Sequence, residues 1–253
     1  MIDLAELLKS DNFTPIYAEY PAPDINRNEV LRYSGIPAYN LKQFSKDTDI
    51  SLINVLQERC KNCSAKCDYT VSLRSDHQCP EVAEASAINE LLDETLDMCK
   101  NGFTYRLMYC YVNLADLDKT TLYEHFNNSN NLMKNLEGCR GIILFAATVG
   151  SNIDMLIRRF ERTKPATGLM LQAIGAERVE SLCDMFNDEI TELAKALNIK
   201  THPRLSPGYG DLDISVQVPI LNMLNAEKRL GITLSQSYLM APSKSVTAII
   251  GLE

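Results

Sequence analysis

Positive charge is in short supply along this chain. Its 25 lysine and arginine side chains stand against 33 aspartates and glutamates, a formal net charge of −8. A surface of that sign has no general attraction for phosphate backbones or anionic headgroups, so nucleic acid and membrane are set aside as partners in favour of a protein or a small molecule. Long apolar runs are missing too. The most apolar stretch, Gly141-Ile-Ile-Leu-Phe-Ala-Ala-Thr-Val-Gly150, falls far short of the roughly 20 residues that span a bilayer. The first residues, Met1-Ile-Asp-Leu-Ala-Glu-Leu-Leu-Lys-Ser10, carry acid early and lack the basic start and apolar centre of a secretory signal, which makes the cytoplasm the expected location. Histidine is scarce: none of His77, His125 and His202 sits in a nucleophile or metalloprotease pattern, and His125 and His202 read as surface or structural groups. The sequence shows no internal repeat, low-complexity tract or clear linker.

What is there is the composition of a globular protein. At 253 residues, with 45% hydrophobic and 23% charged side chains, the chain can bury a core without disulfides. Its eight cysteines therefore ask for a metal, a redox role or plain burial rather than for a disulfide frame. Four of them, Cys60, Cys63, Cys67 and Cys79, fall within twenty residues. Thiolates in close loops of this kind can wrap a tetrahedral zinc or a four-iron cluster, with His77 able to replace one of them. Their gaps of two, three and eleven residues match no diagnostic signature, and unliganded, partly buried cysteines are the equal alternative. Cys99, Cys110, Cys139 and Cys183 read as small buried hydrophobes.

The first fifty residues mix short apolar runs with Pro15, Pro21, Pro23 and Pro37, which predicts an irregular wrapping segment with little long helix. Residues 49–58 read as a short helix leading to Cys60. From Glu81 onward Val82, Ala85, Ile88, Leu92, Leu96 and Cys99 recur at helical spacing, with Glu84, Glu90, Asp93, Glu94 and Asp97 on the other face. Residues 104–112 and 141–147 are short, rich in branched and aromatic side chains, and predict strands. Helices are expected over 151–163 and 166–198, the second with a possible bend at Gly175 and with Val179, Leu182, Phe186, Ile190, Leu193 and Leu197 on one face. Asp213 is placed to cap a helix that runs towards Gly231, and residues 245–250 predict a closing strand. The irregular alternation indicates an α+β fold, an antiparallel or mixed sheet with helices packed around it, rather than a strict parallel array. Residues 1–80 are read as the N-terminal wrapping segment with the cysteine cluster, and 81–253 as the core.

The chemistry gathers in Arg204-Leu-Ser-Pro-Gly-Tyr-Gly-Asp211. An arginine is permanently charged and grips a carboxylate with two parallel hydrogen bonds. Pro207-Gly208 favours a tight turn in which Gly208 can take positive φ and let a ligand approach the backbone. On these eight residues alone, a surface turn with a solvated arginine and a cradle for a small zwitterion both stand.

The wider C-terminal third favours the cradle. Ala146-Ala-Thr-Val-Gly150, Gln172-Ala-Ile-Gly-Ala-Glu-Arg-Val-Glu-Ser181, the Arg204 loop, Gly231-Ile-Thr-Leu-Ser235 and Met240-Ala-Pro-Ser-Lys-Ser-Val-Thr-Ala-Ile-Ile-Gly251 together resemble the activation domain of cobalamin-dependent methionine synthase. The resemblance covers roughly Gly138 to Gly251, with a fainter echo at residues 26–33. It implies a domain that binds S-adenosylmethionine and presents it to a corrinoid whose cobalt has slipped to the Co(II) state. One electron from a flavodoxin- or ferredoxin-type reductant gives Co(I), which takes the methyl group, so no general base is needed. The resemblance further implies that Arg204 contacts the ligand carboxylate, that the backbone of Ser206 and Gly208 holds the adenosine side, and that Tyr209 lines the site. Glu180 resembles the carboxylate on the preceding helix that binds polar groups of the ligand, with Glu177 as its rival in register; a solvated helix face is the alternative for both. A tyrosine near the C-terminus also belongs to the family site, and here it is either missing or replaced by Tyr238. An acid near the N-terminus belongs there too, and none is matched.

The expected function is S-adenosylmethionine-dependent reductive reactivation of cob(II)alamin, a methyltransferase activity, on a separate corrinoid-binding methionine synthase or other corrinoid protein. The alternatives are a non-catalytic module that docks on or senses a corrinoid protein, and a metal-centred electron-transfer accessory built on the cysteine cluster.

Overall fold

The computed structural model describes residues 2–9, 13–35 and 80–253. Cys60, Cys63, Cys67, Cys79, His77 and the helix expected over 49–58 lie outside the described residues. The chain divides into two compact units, one of Met1–Ile25, Gly102–Leu156 and Gly175–Glu253, the other of Asn26–Asn101 and Ile157–Ile174.

The first unit is built on an antiparallel sheet, four-stranded among the described residues. Its strands are β1 (Ile16–Glu19), β2 (Arg106–Asn113), β3 (Gly141–Thr148) and β6 (Ser245–Leu252), ordered β1-β2-β3-β6. In β3 all eight residues are buried, which explains its unbroken apolar run: an inner strand covered on both faces has no solvent side to mark with polar residues. The pairings Ala146↔Thr247, Leu144↔Ile249 and Met108↔Ala146 put these side chains on one face. That face packs in a cluster with Phe126, Leu132, Ile220 and Leu224, drawn from α4 (Tyr123–Asn127), α5 (Asn130–Asn135), α8 (Gln217–Met223) and the turn after it. On the opposite face Phe145 and Tyr109 meet Phe186, at ring-centroid distances of 4.9 and 5.3 Å.

Phe186 belongs to α7 (Pro165–Ala196), a single helix of 32 residues. Val179, Leu182, Phe186 and Ile190 are buried as their spacing predicts, whereas Leu197 is exposed because the helix ends at Ala196 and Asn198 turns left-handed at φ 58°. Gly175 answers to packing: a Cβ there would lie 3.0 Å from side-chain carbons of Lys244 and 3.1 Å from Ile153. Helix α6 (Asn152–Phe160) precedes α7.

The helix expected from Asp213 to Gly231 is broken. Asp213 does cap, accepting from Ser215 N at 2.8 Å, but it caps a 3-10 turn (Ile214–Val216) that leads into α8, and Asn225 at φ 50° separates α8 from α9 (Ala226–Leu230). A left-handed residue cannot continue a right-handed helix. Gly231, at φ 72°, is the expected stop. A small hairpin follows, β4 (Thr233–Leu234) with β5 (Met240–Ala241). The second unit's described residues are helical, and in it Arg27 of α2 (Arg27–Tyr33) pairs at 2.6 Å with Asp93 of α3 (Pro80–Cys99). On the face of α3 that the sequence pattern picks out, Leu92 and Cys99 are buried and Ile88 and Leu96 half-buried, with Asp93, Glu94 and Asp97 exposed on the other side; Thr95, outside that pattern, is buried as well.

Of the remaining cysteines, Cys99, Cys110 and Cys183 are buried and Cys139 is partly so. Burial pushes the Cys110 thiol pKa up to about 12 and raises that of Cys183, as expected of unreactive core thiols. Among the described residues no helix is long and apolar enough to cross a membrane.

Candidate functional site

The free edge of β6 positions the Arg204 loop. Glu253 N donates to Lys200 O at 2.9 Å, His202 N to Gly251 O at 2.9 Å, and Leu205 and Ile249 exchange amide bonds of 3.0 and 2.9 Å. The approach to the loop is thus held as an irregular extra strand. His202 is structural, its ring bonded to Asn135 O at 2.5 Å and to Glu253 Oε2 at 3.1 Å.

The far end of the loop is held by Asp211. Its carboxylate accepts from the Ser129 hydroxyl at 2.6 Å and from the amides of Asn130 and Asn131 at 2.9 and 3.1 Å, satisfying first-turn amides of α5 beside the cap that Ser129 provides to Leu132 N. These bonds, the Ser129 hydroxyl first, hold the carboxyl below its usual pKa. Gly210 makes the approach possible: it sits at φ +60°, and a Cβ there would lie 2.2 Å from Asn131 Nδ2. Gly208 has φ +92°, and its amide is engaged inside the turn, donating to Leu212 O at 2.8 Å.

Between these anchors Arg204 reaches across to α7. Its Nη2 donates to Glu180 Oε2 at 2.8 Å, and Nη1 lies 3.2 Å from Asp184 Oδ1. Glu180 and Asp184 are four residues apart on one helix face. The Asp184 contact lacks hydrogen-bond geometry, so Nη1, though buried, has no hydrogen-bond partner among the described residues. The Arg204 side chain as a whole is 20% exposed.

Arg204 and Glu180 line a cleft of about 340 Å³ with Ser206, Pro207 and Tyr209, a volume at the lower end of the roughly 300–1,000 Å³ found for small-molecule sites. Arg204, Ser206, Tyr209 and Glu180 of the expected ligand residues are therefore together. Gly208 shapes the turn and is not part of the lining. Tyr238 lies in the hairpin turn at φ 60°, also outside the lining. Glu177, the rival of Glu180, is 1% exposed and spends both carboxylate oxygens on Arg178, at 2.5 and 2.6 Å.

Sequence reasoning missed Gln217, Thr247, Met240 and Asp184. The first three line the cleft, and Gln217 Oε1 and Thr247 Oγ1 are buried without a hydrogen-bond partner among the described residues. Each is a polar residue set in an apolar run, Gln217 between Val216 and Val218 and Thr247 between Val246 and Ala248. That was the available signal. Among the described residues no group of three or more His, Cys, Asp or Glu is placed to hold a metal ion.

No protein-family model matches this chain, and no curated protein matches it. Among solved structures it is similar to the crystal structure of the MetH reactivation domain bound to AdoHcy, with a TM-score of 0.53 and 16% identity, over 94% of this chain and 78% of that one. At that identity the likeness is one of fold. The chain has the activation-domain-like α+β fold that its motifs led one to expect, with the sheet antiparallel throughout the described residues.

Proposed function

We propose that this chain binds S-adenosylmethionine in the Arg204 cleft and serves the reductive methylation of cob(II)alamin carried by a separate methionine synthase or corrinoid protein. The observation that carries the reading is Nη1 of Arg204, which has a 3.2 Å ion-pair contact with Asp184 but no hydrogen-bond partner among the described residues, a fixed cation with donor capacity left over at a ligand-sized cleft. A carboxylate is the group that matches such a fork. Glu180, in the same cleft, offers a counter-charge to an ammonium, and Tyr209, 67% exposed, offers a ring face to a sulfonium. A zwitterion that also carries a sulfonium uses all three. The shared fold with a reactivation domain that was crystallised with AdoHcy supports the same ligand class.

In this reading the protein's own work is binding and orientation. Arg204 and Glu180 fix the amino-acid end, which leaves the sulfonium methyl to be aimed out of the cleft, and the loop's two anchors keep that geometry from relaxing. The corrinoid is the second substrate: an external donor supplies one electron to Co(II), the resulting Co(I) attacks the methyl carbon, the carbon–sulfur bond breaks, and S-adenosylhomocysteine leaves as a neutral thioether. No proton moves, so no general base is called for.

Turnover tests the proposal. The full chain is mixed with a cob(II)alamin-loaded partner, a flavodoxin- or ferredoxin-type reductant and methyl-labelled S-adenosylmethionine. Label appearing on cobalt only when the chain is present supports the proposal. Tight ligand binding with no transfer to any corrinoid partner would point instead to a docking or sensing module.

A further inference from the structure

Two atoms of the cleft have no role in the reading above. Gln217 opens α8 and is 7% exposed; Thr247 lies in β6 and is 2% exposed. Both line the cleft, and the Oε1 of one and the Oγ1 of the other are buried without a hydrogen-bond partner among the described residues. Two other fully buried threonine hydroxyls are satisfied: Thr95 donates to Leu91 O at 2.6 Å, and Thr148 accepts from the Ser245 hydroxyl at 2.9 Å. An orphaned polar group inside a fold costs about 1–3 kcal/mol. Packing alone would be served as well by Met or Leu at 217 and by Val at 247. Two such atoms, on residues of different elements that line one cleft, are the mark of a ligand's contacts.

We infer that Gln217 and Thr247 are specificity-determining residues that read hydrogen-bonding groups on the nucleoside part of the ligand, an inference that rests on the S-adenosylmethionine reading of the cleft. Their chemistry narrows the partner group. An amide oxygen only accepts, so Gln217 Oε1 asks for a donor on the ligand, while a threonine hydroxyl can donate or accept. Both are neutral, and so is a nucleoside; the charged end of the ligand is matched by Arg204 and Glu180. The donor is a ribose hydroxyl or the exocyclic amine of the base.

Calorimetric titration with S-adenosylhomocysteine and with its 2′-deoxy, 3′-deoxy and N6,N6-dimethyl analogues tests this on the full chain, the wild type beside Gln217→Met, Thr247→Val, Thr247→Ser and Arg204→Ala. Gln217→Met and Thr247→Val each weaken S-adenosylhomocysteine about tenfold or more, the scale of a lost buried hydrogen bond. Thr247→Ser, which keeps the hydroxyl, binds within a small factor of wild type. The ligand-free melting temperatures of Gln217→Met and Thr247→Val are unchanged or raised, because an orphaned atom is removed, whereas a merely structural role would lower them. One analogue loses about tenfold on the wild type and nothing further on Gln217→Met: a deoxy analogue assigns the donor to the ribose, the dimethyl analogue to the base. If both variants bind as tightly as wild type while Arg204→Ala is weakened, or if all three analogues bind like the parent, the inference is overturned and the reading of the cleft stands. If the wild type binds no S-adenosylhomocysteine, that reading fails and takes this inference with it.

Discussion

Two arginines, Arg178 within α7 and Arg204 reaching across to it, show how the same pairing serves different ends. Arg178 is 4% exposed, and each of its three guanidinium nitrogens donates: two bonds go to Glu177, one to Pro23 O at 2.6 Å and one to Asp24 O at 2.7 Å. Glu177 also accepts from the Ser181 hydroxyl at 2.8 Å. This pair pins the N-terminal segment to the helix and leaves nothing for a ligand. Arg204 makes one hydrogen bond to Glu180 and keeps a buried nitrogen without a hydrogen-bond partner among the described residues. The difference teaches that engagement of every guanidinium nitrogen, more than residue type or burial, separates an arginine that holds a fold from one that can hold a ligand.

The most damaging way to probe the contrast is Arg178→Ala. It strands a buried carboxylate, so urea unfolding should show a loss of about 3–5 kcal/mol; a loss below about 1 kcal/mol would undo the structural role given to this pair. Arg204→Ala should do the reverse. Its pair is partly exposed and contributes on the order of 0–1 kcal/mol to stability, but the affinity for S-adenosylmethionine should fall by about 2 kcal/mol or more, measured by equilibrium binding.

Gly210→Ala sharpens the comparison at the loop. A left-handed backbone costs an L-residue roughly 1–2 kcal/mol, and the added Cβ meets Asn131. Ligand affinity should drop with stability there, whereas at Arg204 the two part company. Asp211→Asn should have the smallest effect. Because the folded-state pKa of Asp211 is depressed, the stability it gives is fully present above its unfolded value of about 4 and is lost as the pH falls through the folded value. Urea midpoints followed from about pH 5 to about pH 3 should fall more steeply for wild type than for the Asn variant.

The long-range signals of the fold were legible in the sequence. β2, β3, β6 and the two long helices carry periodic or unbroken apolar patterns that burial enforces, and the structure keeps them within a few residues. The short elements escaped. β1, the β4–β5 hairpin, α4 and α5 are only two to six residues long, too short for a period to register, and their existence depends on what they pack against. The break at Asn225 escaped for the same reason: one left-handed residue decides it, and asparagine gives only a weak hint. At the site, Arg204 could be singled out because its chemistry and turn are local. The separation of Glu180 from Glu177 could not be made from sequence, since three residues on a helix put both near one face and only the neighbouring Arg178, Pro23 and Asp24 show which acid is already spent. Gln217 and Thr247 gave a faint signal, a polar residue in an apolar run, whose meaning depends on the cleft that brings them together.

The most direct test is calorimetric titration of S-adenosylmethionine into the wild-type chain and into Arg204→Ala, with the melting temperature of each recorded without ligand. Saturable one-site binding to the wild type, weakened about 30-fold or more in the variant at a nearly unchanged melting temperature, is the predicted result. Equal affinities for the two proteins, or no binding to the wild type, would contradict the assignment of Arg204 as a ligand-holding arginine.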